Sequence, residues 1–193
     1  MSEYLLMSAV TAAYVFGSIP IGILVAKSKK INIREVGSGN IGATNIYRAL
    51  GLKYAILVFL LDALKGFIPT FAAMIIWNQP IAHLSIAGSV IIGNAFPIFA
   101  QFKGGKGAAT GVGILAAICP LVILTVLPIA LILIKCFRIV ALVTLLAAFI
   151  VPVLTYFYGY PIEYVVGLSG VVIIIFLRHI KNLKKLKPVI LCG

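Results

Sequence analysis

Carboxylates are scarce in this sequence: four Asp and Glu stand against sixteen Lys and Arg in 193 residues. Glu3, Glu35, Asp62 and Glu163 are too few and too dispersed to assemble a divalent-cation site from oxygen ligands. Cysteine is no better supplied. Cys119, Cys136 and Cys192 are odd in number and lack metal-ligand spacing, so neither a metal nor any other cofactor is expected. Neither histidine has an aspartate five residues on, since Gly88 follows His83 at that distance and Lys184 follows His179. No G-x-S-x-G elbow is present, which argues against a covalent serine intermediate. Internal repeats are missing too, and with them the inverted-repeat signature of many transporters.

What the chain has in abundance is hydrocarbon. Hydrophobic residues make up 63% of it, and the mean hydropathy is +1.20. Apolar stretches cover 3–26, 53–77, 81–102, 110–134, 139–158 and 161–177. A bilayer span needs about 20 such residues, so the chain reads as an all-α polytopic membrane protein, one integral membrane domain over 1–193. The first stretch has no basic segment before it and no cleavage-like site after it, so it reads as a retained span.

The net charge of +12 is not evenly spread. Lys27, Lys29, Lys30, Arg34, Arg48 and Lys53 surround the first connection, and Lys103 and Lys106 lie in the next basic one. Lys135 and Arg138 follow, then Arg178, Lys181, Lys184, Lys185 and Lys187 near the end. The connections at 78–79 and 158–164 carry no Lys or Arg. By the positive-inside rule the N-terminus is outside and the basic segments, C-terminus included, are cytoplasmic. Topology thus accounts for the charge, and nucleic acid is not expected as a partner. Parity then matters. The stretch 110–134 has basic residues on both flanks, which one crossing cannot satisfy. Pro120 and Pro128 interrupt it, and proline removes an intrahelical bond. A split near Pro120 into two short helices gives seven transmembrane helices with the C-terminus inside.

Three polar segments then share the cytoplasmic face. Gly37–Gly42, G-S-G-N-I-G, matches the dinucleotide fingerprint formally, but it follows a membrane helix rather than a strand, which rules out a nucleotide fold. Gly37 and Gly39 still permit the turns in which successive N–H groups nest an anion. Ser38, Asn40, Thr44 and Asn45 add neutral hydrogen-bonding groups, and Arg48 suits bidentate phosphate binding. The plainer alternative is a turn with an Asn/Thr cap. Lys103, Gly104, Gly105, Lys106 and Gly107 form K-G-G-K-G, which is not a Walker A loop but offers cations on a pliant backbone just before a helix N-terminus. Its alternative is a pair of topological lysines on a turn. His179 and Asn182, at i and i+3, share a helix face. Asp62 and Lys65 are an i, i+3 pair inside a span, readable as self-neutralising or as part of a site. Together these segments point to a phosphorylated substrate held at the water–lipid boundary.

These motifs resemble those of the bacterial acyl-phosphate:glycerol-3-phosphate acyltransferases, the PlsY family. GSGNIGATN with Arg48, KGGKG with Ala108 and Thr110, and H-x-x-N at His179–Asn182 carry the resemblance, with FGSIP at Phe16–Pro20 and DALKG at Asp62–Gly66 beside them. The chain departs from the family pattern at Asn94, where histidine is usual, and at Ile180 and Lys181. The resemblance implies a seven-helix fold and acylation of the 1-hydroxyl of glycerol 3-phosphate by a fatty acyl phosphate, giving lysophosphatidic acid and phosphate. It implies catalytic roles for Ser38, Arg48, Lys106, His179 and Asn182. It implies membrane lipid as surroundings, a bacterial inner-membrane location with the site on the cytoplasmic side, and no obligate protein partner. A small transporter of an anionic solute is the competing class, but transporters place polar groups at the midplane on broken helices. Here the polar groups crowd toward one face.

Overall fold

The computed structural model describes the backbone of residues 2–137 and 139–190, and the side chains of 3–137 and 139–178. Among these residues the structure is all helical: α1 (Ser2–Gly17), α2 (Ile21–Ser28), α3 (Ala43–Leu50), α4 (Leu52–Ile76), α5 (Pro80–Ala95), a 3₁₀ turn at Ile98–Ala100, α6 (Ala108–Ile118), α7 (Pro120–Phe137), α8 (Val140–Phe157) and α9 (Ile162–Ile190). Five segments among the described residues are long and apolar enough to cross a membrane: Glu3–Ser28, Leu52–Ile76, Pro80–Ala100, Pro120–Phe137 and Val140–Phe157. The outer surface is apolar, with Leu124, Ile75 and Phe157 largely exposed. A water-soluble fold would bury such side chains; a hydrocarbon solvent does not require it.

The expected split of 110–134 is present in altered form. The helix breaks at Cys119, just before Pro120. Proline at the first helical position has a preset φ and forgoes an N–H that would lack a partner anyway, and the Cys119 carbonyl accepts the Val122 N–H at 3.0 Å instead. Only the first piece is short. α6 has 11 residues, about 16 Å of helix. α7 has 18 residues and runs unbroken through Pro128 to Phe137, so the expectation of two short helices holds for one of them. A second break was not expected: the first apolar stretch is interrupted between Gly17 and Ile21, ahead of Pro20.

The chain divides into two compact units, Met1–Ile118 and Cys119–Gly193. In the first, the short α6 is shielded against α4, with Thr110, Gly111, Gly113, Ile114, Leu115, Ala117 and Ile118 buried. Glycine makes this approach possible. A Cβ on Gly113 would collide with the Ala63 carbonyl, and one on Gly66 with the Thr110 carbonyl. Small residues at the crossing let the backbones meet, which is how helices associate where no hydrophobic effect pulls them together. In the second unit α8 and α9 pack through Leu145, Ala148, Val172 and Ile175, with Phe149 edge-on to Phe176 at 6.0 Å.

Candidate active site

The first motif loop joins α2 to α3 and rests on a small core of its own. Ile33 and Ile41 of the loop pack with Ile46 of α3, Ala26 of α2 and Val58 of α4, so the apolar residues of an otherwise polar loop act as its anchors. Above them Asn45 organises the turn. It is 1% exposed. Its Oδ1 accepts the Ser38 N–H at 2.9 Å, and its Nδ2 donates to the Ile33 carbonyl at 3.2 Å and the Val36 carbonyl at 2.9 Å. Gly37 and Gly39 take left-handed φ values of 56° and 69°. A side chain on Gly37 would strike Asn45 Oδ1 at 2.5 Å.

This geometry changes two expectations. Asn45 has both amide hydrogens committed and is buried, so it shapes the loop rather than meeting a substrate. The N–H groups are committed as well. Gly39 donates to the Val36 carbonyl at 3.0 Å, Ser38 to Asn45, and Asn40 to Ser38 Oγ at 3.4 Å. A three-amide nest for an anion is therefore not available at Ser38–Asn40, and the polar work falls to side chains. Ser38, Thr44 and Arg48 are exposed, Asn40 is half-buried, and the Arg48 side chain passes beside Gly37. Ser38 Oγ accepts from Asn40 and retains its own hydroxyl proton to donate.

The second loop tells the same story. Gly104 and Gly105 donate to the carbonyls of Ala95 and Asn94, at 3.1 and 3.0 Å. These are orphan carbonyls at the C-terminus of α5, so the two amides cap that helix and do not nest a phosphate. The glycines are required by closeness: a Cβ on Gly104 would lie 2.5 Å from Pro97 Cδ and 2.6 Å from the Ala95 oxygen. Gly107, at φ 81°, turns the chain into α6. Lys103 is exposed and Lys106 half-buried, and these are the loop's cations.

Arg34 joins the two loops. Its Nη2 donates to the Ala100 carbonyl at 3.2 Å and to the Lys103 carbonyl at 2.8 Å, which ties the first motif loop to the second. Below lies a buried polar cluster. Lys65, 3% exposed, pairs with Asp62 at 2.9 Å and donates to the Ile19 carbonyl and to Asn94 Oδ1, each at 3.0 Å. The Asp62–Lys65 pair is thus made, and it has a third member.

A glycerol-3-phosphate acyltransferase family model matches residues 7–188. The chain belongs to that family. It is 39% identical over 175 residues to a glycerol-3-phosphate acyltransferase of Aquifex aeolicus, covering 90% of this chain and 91% of that one. The corresponding enzyme of Endomicrobium trichonymphae is 38% identical over 177 residues, 90% of this chain and 87% of its own. The fold is also similar to the crystal structure of PlsY, an integral membrane glycerol 3-phosphate acyltransferase, in its glycerol 3-phosphate form: TM-score 0.90, 36% identity, 95% of this chain and 92% of that one. The lysophosphatidic acid form of PlsY matches with TM-score 0.88 and 35% identity.

Membership bears on the departures named above. At Asn94 an amide oxygen accepts the Lys65 proton, a task an imidazole nitrogen also performs. Sequence reading missed Arg34, whose charge looked topological; its one signal was a position inside the motif loop. His179, Ile180, Lys181 and Asn182 fall in α9, but their side chains lie outside the described residues.

Proposed function

We propose that this acyltransferase moves a fatty acyl group from acyl phosphate to the 1-hydroxyl of glycerol 3-phosphate. One observation supports the proposal: Arg34, in the loop of Ser38 that leads into the helix of Arg48, donates to the Ala100 and Lys103 carbonyls and so ties that loop to the segment that carries Lys106. The donor is a mixed anhydride and is already activated, so catalysis reduces to positioning and charge stabilisation. The glycerol oxygen forms a bond to the acyl carbon, the acyl–phosphate C–O bond breaks, and phosphate departs with the electron pair. The hydroxyl proton passes to His179 or to an oxygen of the leaving phosphate. Arg48 and Lys106 hold the two phosphates, and Ser38, His179 and Asn182 orient glycerol 3-phosphate.

The donor assay tests this directly. Acyl phosphate is expected to support turnover in purified protein, with inorganic phosphate inhibiting as a product, while acyl-coenzyme A and acyl carrier protein thioesters do not. Thioester-using enzymes of this chemistry rely on a histidine–aspartate pair, which neither His83 nor His179 has. Comparable rates with a thioester would remove the reason for a phosphate-leaving-group site.

The charge asymmetry supports a site on the cytoplasmic side of the membrane, and the bacterial relatives support a bacterial inner membrane. A cysteine at Gln79 is expected to react with an impermeant thiol reagent added to intact cells, and one at Lys184 to stay unlabelled. The opposite pattern would reverse the orientation.

A further inference from the structure

Beside the motif loops, at the polar end of the first span, lies an open cavity of about 500 Å³, lined by none of the residues given a role in the proposed reaction. Lys27, Lys30 and Arg34 line it, together with Ile23, Asn32 and Phe99. No carboxylate neutralises these three cations among the described residues. Glu35, the nearest acidic residue in sequence, accepts from Asn32 Nδ2 at 2.6 Å. Lys29, next to them in the chain, does not line the cavity; its ammonium lies over the Tyr54 ring, 5.1 Å from the centroid. Two rim residues, Lys30 and Gln101, hold left-handed φ values of 58° and 53°, which side chains of this kind rarely adopt.

A shallow, open groove runs along α1 and is bounded by Ala12, Val15, Phe16 and Ile19. Phe99 lines both. An uncompensated cationic pocket therefore abuts an apolar groove on the surface of a membrane span. A free anion would use only the pocket, and a neutral lipid only the groove. None of the residues lining the cavity or the groove belongs to the two glycine-rich motifs.

We infer that this is a binding site for an anionic glycerophospholipid of the bilayer, with its phosphate against Lys27, Lys30 and Arg34 and an acyl chain in the groove past Phe99. Because Arg34 also ties the two motif loops together, the lipid phosphate sits on a residue that shapes the active site. The inference goes beyond the acyl-transfer reading and does not depend on it.

The test is a binding measurement and needs no turnover. The full chain in uncharged detergent is titrated with dioctanoyl phosphatidylglycerol, dioctanoyl phosphatidylcholine or inorganic phosphate, and bound molecules are counted by native mass spectrometry. Phosphatidylglycerol is expected to bind more tightly than phosphatidylcholine. Replacing Lys27→Gln with Lys30→Asn (asparagine tolerates the left-handed backbone) is expected to weaken phosphatidylglycerol about 30-fold, from the contribution of two basic residues near a lipid headgroup. Lys27→Gln alone, on an exposed helix end where folding is not at issue, should weaken it about 5-fold. Phosphatidylcholine should be unaffected, and Arg48→Ala should keep the preference. Equal affinity for both lipids, or a preference that survives the double substitution, would overturn the assignment. Loss of the preference in Arg48→Ala would place the lipid in the active site instead. Inorganic phosphate competing at the same concentration as the lipid would reduce the pocket to a free-anion site.

Discussion

Arg48→Ala and Lys106→Ala are each expected to lower acyl-transfer activity by about 10- to 150-fold, the worth of one charge-assisted contact to a phosphate. The fold should survive both. Arg48 is exposed and Lys106 half-buried, and neither lies in the packed interfaces of α4 with α6. The control is Lys29→Ala. Lys29 lies between the same two helices as the first motif, but its ammonium rests over Tyr54, so its removal should leave turnover within about 2-fold, the size of a typical surface effect. Equal losses at all three positions would mean that bulk positive charge, and not a shaped site, attracts the substrates. Steady-state rates over a range of glycerol 3-phosphate and acyl phosphate also separate the two phosphates. The variant whose KM rises for one substrate only identifies which loop holds it.

Lys65→Met should destabilise the fold by about 3–5 kcal/mol, because it strands the Asp62 carboxylate in a nearly dry interior. Thermal unfolding in detergent reads this as a large fall in Tm. Pairing it with Asp62→Asn should restore much of the loss, since removing both charges also removes their desolvation cost. Activity should fall as well. Lys65 binds Asn94 Oδ1, and the Asn94 backbone carbonyl accepts the Gly105 N–H, so the cluster underlies the second motif loop. A Lys65→Met protein as stable as its parent would show that the pair contributes nothing to the fold.

The broad architecture was legible from residue pattern because a bilayer imposes a simple rule on composition: about 20 apolar residues per crossing, with backbone bonds closed inside each helix. The break before Pro120 was readable for a similarly local reason. The break between Gly17 and Ile21 was less so. There Gly17 packs against the Val90 backbone of α5, a contact between segments far apart in sequence. α7 continues through Pro128, although proline ordinarily disrupts a helix.

Within the site, residue order alone makes legible which residue types are present: two glycine-rich loops, a short supply of carboxylates, and cations at Arg48 and Lys106. It also carried enough motif detail to identify the family. What each polar group is used for depends on the folded arrangement. Asn45, Gly104 and Gly105 read as phosphate ligands, yet their hydrogen bonds close on Ile33, Val36, Ser38, Asn94 and Ala95. Arg34 read as a topological charge, yet it ties its own loop to two carbonyls of the second, 66 and 69 residues further along the chain. The reason is that a buried donor or acceptor must find a partner wherever the fold offers one. That partner is chosen by distance in space, which the order of residues along the chain does not state.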